Sequence, residues 1–336
     1  MAGKSDMEDK LRAAVEAGDL KGLHSVLVIH EGEVFAEAYF DGEDQRWGTP
    51  LGLREHGPGT LHDLRSVTKS IVGLLYGIAL SEGLVPEVNA PLLEQFPEYA
   101  DLAGDPQRQK LDVGHVLEMK MGLEWDESLP YSDPRNSEIA MEMADDRYRF
   151  ALDRPILGPP GKDWQYNGGA TAIIARMIEK GAGMPLDAFA RDRLFTPLGI
   201  TDFDWVEGAD GTPSAASGLR LNIHDLAKIG QLVLDRGAHE GRQIVPEDWL
   251  TASFTPRANL DGLRYGYFWW LAGGKGDPFW VAGFGNGGQR LTIQANLNLL
   301  ILVNAGNYNQ PDHWKIPVRV IEEFLSPAFR AYLKGK

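Results

Sequence analysis

"HDLRSVTKSIVGLLYGIAL", residues 62–80, decides how this chain is read. From Val67 to Leu80 apolar side chains fall on nearly every face, which is the pattern of a helix buried on all sides. Ser66 and Lys69 stand at its mouth, three residues apart and so on one face, where the amine can reach the hydroxyl. A serine alone is a poor nucleophile and needs a base. Lysine can serve only when neutral, which requires its pKa to fall by about 3 pH units, roughly 4 kcal/mol. The apolar helix supplies the desolvation that would do this. On its own, the tetrad describes equally well an N-cap serine followed by a snorkelling lysine.

Working outward, "LHSVLVIHEGEVFAEAYFDG" reads as a hairpin from about His24 to Phe40 that turns at Glu31-Gly32-Glu33, preceded by a charged first helix. Gly- and Pro-containing residues from Gly48 to Gly59 lead into the buried helix. From about Glu82 to Gly218 the chain is helical and loop-rich, punctuated by prolines, with no strand alternation. "NIHDLAKIGQLVLDRG" is a helix with Asn222 as N-cap and a stop at Gly237. The last third gives the strand runs "YGYFWWLA" (265–272), "DPFWVAGFG" (277–285), "QRLTIQA" (289–295) and "NLLILVNAG" (298–306), then a helix over 314–325. Strands at both ends and helices between predict an α+β fold in one domain over residues 1–336. An antiparallel sheet lobe comes from residues 1–82 plus 219–336, and an all-helical lobe from residues 83–218 is inserted into it.

Two further stretches carry chemistry. "PPGKDWQYNGGATAIIARMIEKGAG" delivers Tyr166 on a tight loop ahead of a helix, a setting that suits a phenol in proton transfer as well as a packing tyrosine. "VAGFGNGGQRLTI" satisfies G-x-G-x-x-G at Gly283, Gly285 and Gly288, but a strand follows it instead of a helix, so it is no dinucleotide fingerprint. A glycine-rich strand end instead lets backbone N–H groups approach a ligand closely.

The 336 residues hold 33 Lys+Arg against 48 Asp+Glu, a formal charge of −15, which opposes nucleic-acid and membrane-surface partners and also simply favours solubility. With no cysteine, a thiolate nucleophile and a Cys-based zinc site are excluded. The eight histidines are scattered at 24, 30, 56, 62, 115, 224, 239 and 313 with no metal-binding spacing, and His62-Asp63 reads as an ordinary helix start. The expectation is no metal and no organic cofactor. The first twenty residues carry no apolar leader, which suggests a cytoplasmic protein, and Ile71 to Leu80 is too short to span a membrane.

With Ser66–Lys69, Tyr166 and the glycine strand in that order, the chain resembles the serine β-lactamase and penicillin-binding-protein superfamily. It looks most like the class C-like branch that also holds carboxylesterases and aminohexanoate-oligomer hydrolases. "LDVGHVLEMKMGLEWDE" (111–127), "RLFTPLGITDFDW" (193–205) and "SGLRLNIHDLAKIGQLVLDRG" (217–237) extend the similarity. The resemblance implies Ser66 as the acylated nucleophile, Lys69 as its base and Tyr166 as the tyrosine of the Y-x-N motif. It implies an oxyanion hole from the Ser66 N–H and one in the stretch Gly285, Asn286, Gly287. Gly168 stands where that motif has its asparagine, so Asn167 is the candidate substrate contact. Gly283 stands where the third motif has Lys or His, which favours neutral small-molecule esters or amides over β-lactams and D-Ala-D-Ala peptides. A non-catalytic binding protein on the same fold is the remaining alternative.

Overall fold

A computed structural model describes residues 2–335, with side chains from Asp6 onward. In chain order the elements before the helical region are α1 (Ala2–Glu16), β1 (Leu23–His30), β2 (Glu33–Tyr39), β3 (Gly42–Arg46), β4 (Thr49–Arg54), β5 (His62–Asp63) and α2 (Val67–Ser81). There follow α3 (Val113–Leu117), α4 (Ser137–Glu142), α5 (Arg147–Leu152), α6 (Gly168–Ala182), α7 (Leu186–Ala190), β6 (Asp204–Trp205) and β7 (Leu219–Leu221). The remainder comprises α8 (Ile223–Leu234), β8 (Ala238–His239), β9 (Arg242–Gln243), α9 (Glu247–Ser253), β10 (Ala258–Leu260), β11 (Leu263–Tyr265) and β12 (Trp270–Ala272). Then come β13 (Val281–Gly285), β14 (Gln289–Gln294), β15 (Leu299–Ala305), α10 (Lys315–Arg319) and α11 (Ser326–Lys334).

Eight strands form one antiparallel sheet in the order β10-β11-β12-β13-β14-β15-β1-β2. The two chain ends meet where β1 pairs with β15, from Leu23 opposite Ala305 to His30 opposite Leu299. One sheet face carries Val26, Val28, Ile301 and Val303 against α1 and the C-terminal helices. The other carries Leu27, Leu291, Ile293, Leu300 and Leu302 against α2 and α8. This is the antiparallel sheet flanked by helices that the alternation of both ends predicts.

Helix α2 is held between the sheet and α6, and every residue from Val67 to Ala79 is buried. Each fully buried side chain such as Ile71, Leu74 or Leu75 contributes roughly 1.5–3 kcal/mol of hydrophobic stabilisation, so the helix is fixed by packing on all sides. Gly77 is glycine by necessity, since a Cβ there would lie 2.1 Å from the Trp249 ring.

Three details depart from the sequence reading. Residues 49–54, read as a lead-in loop, form a hairpin with β3 that turns at Trp47-Gly48. Asp204–Trp205, within the stretch read as strandless, is a short strand in a small sheet of order β5-β7-β6. The run "YGYFWWLA" is two strands, because Phe268 takes φ 61° and turns the chain between β11 and β12. Its apolar residues satisfy a buried turn as readily as a buried strand.

Candidate active site

Ser66 occupies the N-cap of α2, so its side chain opens toward the space before the first helical turn. The chain arrives there under constraint. Arg65 adopts φ 49°, a left-handed conformation that is costly for a residue with a Cβ. Asp63 Oδ2 accepts from Arg65 Nε at 3.0 Å, Asp63 Oδ1 lies 2.7 Å from Arg220 Nε, and the Arg65 guanidinium lies 4.8 Å from the centre of the Tyr308 ring. Asp63 is thus a buried anchor that fixes the approach to the serine, and not a helix-start residue.

Lys69 is 1 % exposed. Its Nζ donates to Ser66 Oγ at 3.0 Å and to the Ala216 carbonyl at 2.9 Å, and lies 3.3 Å from Glu138 Oε2. Tyr166 completes the group: the Lys69 amine stands 4.9 Å from the centre of its ring, and Ser66 is close enough to its hydroxyl to favour the phenolate. Ser66, Lys69 and Tyr166 are therefore brought together as the sequence order implies.

The protonation of Lys69 is not what the sequence implies. Burial pulls its pKa down, but the Glu138 carboxylate, Tyr166 and Glu127 outweigh burial and hold the amine above its ordinary value. The resting lysine is an ammonium. Burial raises Tyr166 above the usual phenol range, and the Lys69 charge works against that rise. Glu127 is pushed up to about 7 by burial and by neighbouring Glu138. Its carboxylate accepts from Trp125 Nε1 and Gly168 N, both at 2.6 Å, and from the Tyr131 hydroxyl at 2.7 Å. Glu127, Tyr131 and Glu138 carry no spacing signal in the sequence, because they reach the site from a loop and from α4. The fully buried Glu138 is the missing partner of Lys69.

The site opens into a cavity of about 880 Å³ lined by Ser66, Tyr131, Tyr166, Trp270, Phe284 and Arg290, among others. Tyr166 stacks with Trp270 (ring centres 6.0 Å apart), and Trp270 stacks with Phe284 at 5.4 Å. Arg290 lies with its guanidinium 4.1 Å from the centre of the Phe284 ring. Burial lowers it to about 10, and among the described residues no carboxylate pairs with it. A cation in an apolar setting with no internal counter-ion is suited to an anionic ligand.

The glycine strand divides its expected roles. Gly285 and Asn286 line the cavity beside Ser66. A Cβ on Gly285 would lie 2.4 Å from the Leu64 carbonyl, so only glycine lets β13 lie this close to the segment that leads to Ser66. Asn286 is tied to Asn309 by two hydrogen bonds, of 3.0 and 2.9 Å. Gly287 forms a bridge with Asn307 and does not line the cavity; Gly288 does. Asn167 is not turned to the cavity either: it is 3 % exposed, and its side-chain oxygen caps α6 by accepting from Ala170 N at 3.1 Å. With Gly168 beginning the helix, the asparagine one place earlier falls on the N-cap.

Residues 7–318 match the family described as Beta-lactamase. The chain belongs to the Beta-lactamase family. Within that family it is similar to the 6-aminohexanoate-dimer hydrolase of Paenarthrobacter ureafaciens, at 25% identity over 314 residues, covering 86% of this chain and 74% of that one. Its fold is shared with EstCE1, described as a hydrolase with promiscuous acyltransferase activity (TM-score 0.74, 14% identity, 95% and 98% of the two chains). It is shared equally with a family VIII carboxylesterase (TM-score 0.70, 16% identity, 97% and 98% coverage). No helix among the described residues of this Beta-lactamase family member is long and apolar enough to cross a membrane.

Proposed function

We propose that the protein is a serine hydrolase that cleaves small esters or amides through an acyl-enzyme. The observation that carries this reading is the buried Lys69 amine 3.0 Å from Ser66 Oγ, with the cavity opening directly onto that oxygen. In the first step Ser66 Oγ attacks the substrate carbonyl carbon. The proton leaves through the Tyr166 oxygen, which is the acceptor in its phenolate form because Lys69 rests as an ammonium. The ammonium stabilises that phenolate and keeps Ser66 Oγ oriented. The same proton then passes to the departing alkoxide or amine, and water repeats the sequence on the acyl-enzyme. Backbone N–H groups of Ser66 and of the Gly285–Asn286 strand end would hold the developing oxyanion. The N-terminal position of Ser66 on α2 adds the favourable end of the helix dipole.

A second reading concerns the substrate. Gly283 lacks a side chain, and a Cβ there would point at Val67 (3.0 Å from its Cγ1), so the third-motif charge is absent. Arg290 supplies a positive charge from the adjacent strand, which supports acyl substrates that carry a carboxylate as well as neutral ones. The relative named as a 6-aminohexanoate-dimer hydrolase supports the amide side of this reading. Intact-mass measurement after incubation with ester, amide and β-lactam panels tests it. Acyl adducts are expected on the wild type and absent from Ser66→Ala, and equal ester turnover by both proteins would overturn the assignment.

A further inference from the structure

We propose that His24, Asp44, His56 and His62 form a binding site for one divalent transition-metal ion of the zinc class, which braces the chain leading to Ser66. The four residues come from β1, β3, the loop after β4, and β5, so no local spacing connects them. Three of the eight histidines that look scattered in the sequence thus meet in the fold. All four side chains are buried, and their donor atoms all lie within 4.8 Å of one another.

The individual distances have the scale of a coordination shell. His24 Nδ1 is 2.9 Å from His62 Nε2, His56 Nε2 is 3.4 Å from Asp44 Oδ2, and His62 Nε2 is 3.7 Å from Asp44 Oδ1. Ligand atoms on a tetrahedral N/O site with bonds of about 2.0–2.2 Å stand about 3.3–3.6 Å apart.

The outer contacts orient the rings. His56 Nδ1 faces the Phe40 carbonyl at 2.8 Å, and His62 Nδ1 faces the Asp63 carbonyl at 3.1 Å. A carbonyl only accepts, so each Nδ1 carries a proton, which leaves each Nε2 as the nitrogen turned inward for a ligand, as in metal-bound histidines. The two Nε2 atoms lie beside the Asp44 carboxylate, and His62 Nε2 also faces His24 Nδ1, so the nitrogen and oxygen donors converge on one point that a cation can occupy. Asp44 Oδ1 is steadied by Tyr308 Oη–H at 3.0 Å and Gln45 N–H at 2.8 Å, which orients the carboxylate. Three imidazoles and one carboxylate, without thiolate, suit Zn²⁺ or Co²⁺ better than Ca²⁺ or Mg²⁺.

The site is linked to two segments that border the cavity at Ser66. His62 lies four residues before Ser66 and is followed by the Asp63 anchor. Tyr308, bonded to Asp44, precedes Asn309, which holds Asn286.

The test uses the whole chain and does not depend on any activity. Protein expressed with zinc supplementation and purified without chelator is expected to carry about one zinc per chain by elemental analysis. After stripping, it should take up one Co²⁺ with the intense visible absorption of a four-coordinate site. Asp44→Asn and His56→Gln should weaken Co²⁺ binding at least about tenfold. Anomalous diffraction at the zinc edge locates the ion without any variant. A peak between these four side chains supports the proposal; metal-free protein that takes up no Co²⁺, or a peak elsewhere, overturns it. A His56⁺–Asp44⁻ pair with a His24–His62 hydrogen bond would then be the structure of the cluster.

Discussion

Replacing Glu138 by Gln removes a charge from the cluster around Ser66 while nearly keeping the size of the side chain. Glu138 Oε2 lies 3.3 Å from Lys69 Nζ. At an effective dielectric constant of about 20 that pair is worth about 5 kcal/mol, close to four pH units of lysine titration, as an upper bound. Without the carboxylate, burial acts on the amine with less opposition, and Tyr166 loses one of the groups that raise it. Both protons then come off at lower pH. In the wild type, kcat/KM should climb through the alkaline range, because Tyr166, the proton acceptor, stands above its ordinary value while Lys69 keeps its charge. In Glu138→Gln the rise should begin at least about one pH unit lower.

Stability provides a second readout of the same change. In the variant, the folded state favours the neutral amine, so its pKa falls below the unfolded value of about 10.4. The loss of stability is then full at about pH 7, on the order of 3–5 kcal/mol, and fades as pH rises toward the unfolded value. Urea denaturation at about pH 7 and about pH 9.5, with ester kinetics over the same range, measures both effects. An alkaline limb that stays in place or moves upward, or a loss that grows with pH, would refute the assignment of charge to Lys69.

Gly285→Ala should lower stability by about 1–3 kcal/mol in denaturant and kcat/KM by at least about tenfold, because the new Cβ displaces the Leu64–Ser66 segment. Gly283→Ala, whose Cβ would come no closer than 3.0 Å, to a side-chain methyl of Val67, should be milder on both counts. Arg290→Gln should raise KM at least about tenfold for carboxylate-bearing acyl substrates, about 1.4 kcal/mol, while neutral esters change little in steady-state assays. A uniform change across both substrate classes would remove Arg290 from substrate recognition.

The parts of the site that were legible in the sequence are contiguous ones. Ser66 and Lys69 share a helical turn, and the apolar run that follows dictates burial whatever it packs against. The strands β13 to β15 were readable because short turns rich in Gly and Asn separate runs that pair with their neighbours. Glu138 was not legible, since nothing in "NSEIAMEM" distinguishes an acidic residue in the first turn of an ordinary helix from the counter-ion of Lys69. Asn167 misled for the opposite reason, because asparagine before a helix serves as a cap as well as a ligand. Arg290 was hidden within an alternating strand, where an arginine ordinarily faces water. His24 and His62 come together only because β1 and β5 approach in space, a fact that no spacing rule contains.

The pairing of Leu23 with Ala305 also sets a schedule. During synthesis at about 5–20 residues per second, β1 emerges roughly 15–55 s before the strand that will lie beside it. Until β15 arrives, β1 has only the β2 hairpin, and β13 is not yet available to press against the serine's approach. Ser66 is thus among the first quarter of the chain to be made and among the last parts to be configured. A nascent or truncated chain carries the serine without the means to use it.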